Sequence, residues 1–195
     1  MIMILAPHMD DEVLGCASLL KGSVVVYFTQ GHPSFPGWLE EQERMMEAGG
    51  FESELLDYPI HHLDTIPQAR FIGNVEKFIQ EWRPDTVVIP FASYNQDHRA
   101  VHEAALTAMR PNDKLHFVKR ILVYEEPDVL GTFKDFRPAY FRPVDIDEKC
   151  RLVSLYKSQV RGHRSDDVLM AMATIRGMQS RLSYAEAFEV LRWVD

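Results

Sequence analysis

Met1-Ile2-Met3-Ile4-Leu5-Ala6-Pro7-His8-Met9-Asp10-Asp11-Glu12 decides how the rest of the chain is read. Its first six residues form an apolar run, short enough for a strand buried on both faces. Val13-Leu14-Gly15-Cys16-Ala17-Ser18-Leu19-Leu20 follows with the apolar spacing of a helix. An imidazole and three carboxylates therefore crowd the turn between a strand and a helix. In an open α/β sheet such turns lie at the carboxyl ends of strands, where ligands bind. Acidic residues favour a first helical turn on electrostatic grounds alone. That preference explains neither the histidine two positions before the paired aspartates nor a cluster beginning where a core strand ends.

Downstream, strand and helix patterns alternate. Ser23 to Phe28 is a β-branched and aromatic run that ends at Thr29-Gln30-Gly31-His32. Pro36 to Gly49 reads as a helix stopped by Gly49-Gly50, and Glu52 to Asp57 as a short strand. Phe71, Ile72, Val75, Phe78, Ile79 and Trp82 recur with a helical period, and Pro84 follows. Thr86-Val87-Val88-Ile89-Pro90 is a further buried strand leading through Phe91-Ala92-Ser93-Tyr94 into Asn95-Gln96-Asp97-His98, with helical composition from Arg99 to Met109. Lys119 to Tyr124 reads as a strand, and Gly131 to Asp145 as a loop or edge strand. Asp145 with Glu148 resembles a capping box, opening a helix through Tyr156 and Val160. Asp166 to Arg181 is helical again, and Tyr184 to Val194 closes the chain as an apolar tail. Strands alternating with helices predict an α/β fold, a mostly parallel sheet with helices on both faces.

The chain has 195 residues, enough for one domain with a sizeable core, so residues 1–195 are read as a single domain. A net charge of −8 argues against nucleic-acid binding, which needs a basic face. A small-molecule substrate is expected instead. Cys16 and Cys150 are far apart and form no redox-type or metal-type pair. No run of about 18 apolar residues suggests a membrane span, and no basic leader with a cleavage site is recognisable. The expected location is cytoplasmic, with the oligomeric state left open.

A catalytic zinc site takes three ligands of the His and carboxylate type and leaves a fourth position open. His8, Asp11 and His98 supply such a set. His8 and Asp11 lie three apart across a turn and can face one point, while Asp10 projects elsewhere and is free to act as a base. His98 arrives from another strand end. Asp97 is expected to hold a ligand histidine through its second nitrogen, with Glu12 also behind the ligands. The chemistry expected of this set is hydrolysis of an amide or ester, with Asp10 taking a proton from water and handing it to the leaving amine, and Asn95 donating to the oxyanion. His61-His62-Leu63-Asp64 is a second metal-like cluster, set aside because nothing places it at the end of a core strand.

Pro-His-Met-Asp-Asp-Glu at residues 7–12 also resembles the Ala-His-Pro-Asp-Asp-Glu motif of the PIG-L/LmbE-like de-N-acetylases. Asn95-Gln96-Asp97-His98 is similar to that family's later x-x-Asp-His motif, and Thr29-Gln30-Gly31 to its Thr-x-Gly turn. Lys157-Ser158-Gln159 and Tyr184-Ala185-Glu186-Ala187-Phe188 resemble patterns near its carboxyl end. The resemblance implies a Rossmann-like fold, a Zn²⁺ ion, and removal of an N-acetyl group from an amino sugar or its conjugate. Carried over by position, it makes His8, Asp11 and His98 metal ligands and Asp10 the general base. It also places Thr29 and Gly31 near the substrate. Many members carry a histidine where this chain has Asn95. An amide can donate to an oxyanion but cannot titrate, so the acid role falls on Asp10, His102 or His163. The competing functions are a metal-dependent amidase or deformylase on a non-sugar substrate, and a non-catalytic ligand-binding member.

Overall fold

The computed structural model describes the chain except residues 32–34, 36, 112–113 and 132–134 and the side chains of 130 and 131. His32, Pro36 and part of the Gly131–Asp145 stretch thus lie outside the described residues. A seven-stranded sheet has the order β3-β2-β1-β4-β5-β7-β6. The strands are β1 (Ile2–Ala6), β2 (Val24–Thr29), β3 (Glu52–Tyr58), β4 (Thr86–Pro90), β5 (Arg120–Tyr124), β6 (Tyr140–Pro143) and β7 (Ala185–Trp193). β1 to β5 run parallel, while β7 is antiparallel to both β5 and β6. The helices are α1 (Asp11–Cys16), α2 (Trp38–Gly49), α3 (Gln68–Trp82), α4 (Gln96–Ala108), α5 (Ile146–Val153) and α6 (Asp166–Ser180).

The two-residue period of the central strands divides the core between the two faces. Met3, Leu5, Val87 and Ile89 point to one side, where Phe71, Val75 and Phe78 of α3 and Val101 and Ala105 of α4 cover them. Ile4, Ala6 and Val88 point to the other, beneath Val13 and Leu14 of α1, Met45 of α2, Leu152 of α5 and Leu169 of α6. Burial on both faces is why these strands read as continuous apolar runs rather than alternations. Gly50 ends α2 in the left-handed region at φ 66°, with its N–H on the Met46 carbonyl. That geometry favours glycine.

Two sequence expectations are corrected. The helix opened by Asp145, whose carboxylate accepts from the Glu148 N–H at 3.1 Å, stops at Val153 rather than continuing to Val160. The following 158–164 segment turns toward the ligand-binding edge of the sheet. Residues 185–193, read as an apolar tail, form strand β7, inserted between β5 and β6. Its identity as a strand comes from partners remote in sequence: Phe188 pairs with both Tyr124 and Tyr140.

Candidate active site

The sheet order fixes where the site lies. From β1 the chain moves outward through β2 to β3, then returns to place β4 on the other side of β1. The crevice at the carboxyl ends of β1 and β4 is therefore the topological switch point, where open α/β sheets bind ligands. His8 follows β1 and His98 lies on α4, just after β4. Helices α1 and α4 both begin there.

Local hydrogen bonds aim the His8-to-Glu12 turn. Thr29 anchors it from the neighbouring strand, donating both its N–H (3.1 Å) and its Oγ1–H (2.8 Å) to the Pro7 carbonyl. The His8 N–H donates to Asp11 Oδ2 at 2.7 Å, and the Asp10 N–H to Glu12 Oε2 at 3.0 Å. Asp10 sits at φ 99°, a left-handed conformation that aspartate tolerates better than most residues but which must be held by its surroundings. Glu12 does part of that holding. Its other oxygen accepts from the Tyr156 hydroxyl at 2.8 Å, and burial pushes its carboxyl up to about 7 against that hydrogen bond.

The structure brings His8, Asp11 and His98 together, with one donor atom of each within 4.8 Å of the others. Asp11 Oδ2 lies 3.3 Å from His8 Nδ1 and 3.5 Å from His98 Nε2. A second convergent group is His8, His61 and Asp97. The two carboxylates differ in how far they are already committed. Asp97 accepts from the His61 and Leu63 N–H groups at 2.7 and 3.0 Å and faces His8 Nε2 at 2.9 Å. It works as an orienting acceptor that leaves His8 Nδ1 aimed at Asp11. Asp11, by contrast, is fully buried and its Oδ1 has no hydrogen-bond partner among the described residues. A buried carboxylate oxygen left unmatched is costly, and a cation beside it would remove the cost. The His8, Asp11, His98 set thus fits a divalent metal ion, and fits it better than the second group.

With protein groups alone as neighbours, charge settles unevenly among these residues. Burial works against the Asp11 charge, but the imidazoles of His98 and His8 outweigh it and hold that carboxyl well below the usual range. Burial also works against a charged His8, yet Asp11 and then Asp97 carry its pKa up to about 10. Asp10 is displaced the other way. Burial raises its carboxyl well above the usual value and the charges of Asp11 and Glu12 add to the rise, while the Arg164 guanidinium opposes it.

Arg164 is the principal residue that sequence reasoning missed. Arg164 is only 13 % exposed, and its Nη1 donates to Asp10 Oδ2. Its Nη2 lies 3.8 Å from Asp128, which also faces His163 at 3.4 Å. Glu126 is the other omission: it is buried, with Oε1 3.9 Å from His98 Nδ1 and no hydrogen-bond partner for that oxygen among the described residues. Its position directly after the predicted Lys119–Tyr124 strand was the available signal. His61, set aside with its cluster, lines the cleft beside His8. His62 is exposed.

The remaining expected residues divide. The cleft, about 510 Å³, is lined by His8, Asp10, Gly31, Asn95, His163 and Arg164, among others. Gly31 must lack a side chain, because a Cβ would come within 2.4 Å of Trp38. Asn95 caps α4, its Oδ1 accepting from the Asp97 N–H at 2.9 Å. Thr29 is buried beneath the turn, and His102 faces away, its Nδ1 2.8 Å from the Pro90 carbonyl. Neither lines the cleft. Ser158 and Gln159 do, with Ser158 fixed by two hydrogen bonds to Glu41 of α2.

Solved structures with the same architecture include a conserved protein from Thermus thermophilus (23 % identity, TM-score 0.81), covering all of this chain and 95 % of that one. N,N'-diacetylchitobiose deacetylase from Pyrococcus horikoshii is similar at 18 % identity and TM-score 0.75, over 98 % of this chain and 83 % of that one. A 4-carboxy-2-hydroxymuconate hydratase from Pseudomonas putida is similar at 16 % identity and TM-score 0.79, over 100 % and 98 %. At these identities the likeness concerns the fold. No curated protein matches the chain at a significant level. The model of the PIG-L family, described as GlcNAc-PI de-N-acetylase, matches residues 3–109, more than half the chain and the part holding both motifs, and the chain belongs to that family.

Proposed function

We propose that this chain is a metal-dependent hydrolase that removes the N-acetyl group from an amino sugar or an amino-sugar conjugate. The observation that carries the reading is the meeting, at one crevice, of a His8, Asp11, His98 donor set with an unmatched carboxylate oxygen and the carboxylate of Asp10 on the cleft wall. Family membership supports it, as do the deacetylases that share the fold.

His8, Asp11 and His98 would hold the ion, with Asp97 fixing the ring of His8 from behind. The chemistry a divalent ion such as zinc would supply there is Lewis acidity, lowering the pKa of a water and stabilising charge on a carbonyl oxygen. Asp10 takes the water proton and later delivers it to the departing amine nitrogen. Arg164 occupies Oδ2, so Oδ1 is the proton-carrying atom. Asn95, whose Oδ1 is committed to the helix cap, offers its amide N–H to the oxygen that gains charge as the carbonyl is attacked. Met9 and Gly31 bring apolar and backbone surface to the same cleft.

The test is release of free acetate from a panel of N-acetylated sugars and nucleotide sugars. Asp10→Asn should retain the metal and lower turnover by roughly 10²-fold or more. Wild-type turnover in Asp10→Asn would remove Asp10 from the role of base, and loss of its metal would make it a ligand. The fold is also that of a hydratase. Inclusion of non-sugar amides and unsaturated acids in the panel separates the readings, because hydration consumes water without releasing acetate.

A further inference from the structure

Two residues from the carboxyl-terminal part of the chain hold Asp10, and they hold different parts of it. Arg164 reaches its carboxylate in the cleft. Tyr156 reaches its backbone, through Glu12. The Tyr156 hydroxyl donates to Glu12 Oε1 at 2.8 Å, and Glu12 Oε2 accepts the Asp10 N–H at 3.0 Å. Tyr156 is 1 % exposed and lies outside the cleft lining, so it does not meet a substrate seated there.

The linkage matters because of the conformation at Asp10. A residue with a side chain stays at φ 99° only while its surroundings impose it. Asp10 is gripped on both sides of its Cα: its N–H by Glu12, and its carbonyl by the Leu14 N–H at 2.9 Å. With both peptide groups fixed, the Cα–Cβ bond has one direction, and the carboxylate is aimed by it. Glu12 anchors the first of these groups only while its own head stays in place. Helix α1 fixes its backbone, and the Tyr156 hydroxyl fixes the carboxylate. Tyr156 is braced in turn, its N–H on the Val153 carbonyl at 3.1 Å and its carbonyl accepting from the Gln159 N–H at 2.8 Å. Small errors in the placement of a reacting group cost large factors in rate.

We propose that Tyr156, acting through Glu12, is a positioning residue that fixes the aim of the Asp10 carboxylate. This rests on the reading of Asp10 as the base. Tyr156→Phe keeps the ring and removes only the donor. It should lower kcat for acetate release by about tenfold, with KM within about twofold of wild type and metal content unchanged. In the Asp10→Asn background the same change should alter the residual turnover by less than about twofold, because an absent carboxylate cannot be misaimed. Tyr124→Phe deletes another buried phenol hydroxyl, the donor to the Leu5 carbonyl at 3.2 Å, and serves as the control for general loosening. It should leave kcat within about twofold of wild type. Wild-type kcat in Tyr156→Phe, an equal loss in Tyr124→Phe, or an undiminished loss in the Asp10→Asn background would each overturn the inference. A second measurement needs no turnover. Exchange of the Asp10 amide hydrogen, followed by NMR, should quicken by about tenfold or more in Tyr156→Phe while that of Ile4 in β1 keeps its wild-type rate. Unchanged exchange at Asp10 would also overturn the inference. If no N-acetylated probe releases acetate, the amino-sugar reading fails, and the exchange measurement by itself decides whether Tyr156 holds the turn.

Discussion

Replacing Glu186 by Gln removes one charge from a buried pair and so tests what holds α1, the helix carrying Asp11, against the rest of the fold. Glu186, on β7, and Lys149, on α5, are 5 % and 8 % exposed, with Nζ and Oε1 2.7 Å apart. Both groups have further partners. Lys149 Nζ also donates to the Leu14 carbonyl at 2.7 Å, while Glu186 accepts from the Ala17 N–H at 3.0 Å and the Ser18 N–H at 2.8 Å. The pair thus ties the end of α1 to two elements from the carboxyl third of the chain. Glu186→Gln keeps the shape and one acceptor oxygen but strands the ammonium in the interior. Breaking a buried pair from one side costs about 3–5 kcal/mol, a large share of the roughly 5–15 kcal/mol that stabilises a domain. Lys149→Met should cost less, about 1.5–3 kcal/mol, because the carboxylate keeps its two backbone donors. The double variant, Lys149→Met with Glu186→Gln, should be more stable than the sum of the single losses by about 0.5–3 kcal/mol. Urea denaturation at neutral pH measures all three. A loss below about 1 kcal/mol in Glu186→Gln, or strict additivity in the double variant, would refute the argument.

Replacing His8, Asp11 or His98 by Ala should each remove most of a bound divalent ion, measured by metal analysis of purified protein, whereas His61→Ala should leave most of it; the reverse ranking would move the ion to the group of His8, His61 and Asp97. Asn95 cannot titrate, so the pH profile of acetate release should lack an alkaline fall and Asn95→His should introduce one. Asn95→Asp, which keeps a capping oxygen worth about 1 kcal/mol to α4 but, when ionised, has no donor, separates loss of the donor from loss of the cap, and a bell-shaped wild-type profile unchanged in Asn95→His would place the acid elsewhere. Burial, with the Asp166 carboxylate adding to it, pushes the Cys150 thiol up to about 11. Its folded value thus lies above the unfolded one of about 8.5, so the associated stability is present below that pH and is lost as pH rises through about 11. A thiol reagent should react with it slowly at pH 7.5 and faster in Asp166→Asn; wild-type reaction at the rate of a free cysteine would contradict this.

The strand-turn-helix reading of residues 2–16 and of 86–108 needed only local pattern. Continuous apolar runs mark strands buried on both faces, and the residues that end them fall at the carboxyl edge of the sheet. His8, Asp11 and His98 were accessible because their backbone positions follow from those elements. Glu186 shows the opposite case. Its Tyr-Ala-Glu-Ala-Phe context was visible as a family-like pattern, but its purpose, accepting from the end of α1 and neutralising Lys149, belongs to partners far away in sequence.

What the sequence by itself determined is the alternation of elements, the α/β class and the residues delivered to the crevice by the turns after β1 and β4, because those depend on periodicity and on the position where each strand stops. Tertiary structure alone decided that 185–193 is a strand between β5 and β6, that Arg164 folds back onto Asp10, that His61 joins the cleft and that His102 turns away from it. A basic loop has the same local pattern whether it meets solvent or a buried carboxylate. The outcome is set by which charge lies opposite once the chain has packed, and burial among Asp11, Glu12 and Glu126 makes a cation beside Asp10 worth far more than the same residue in water.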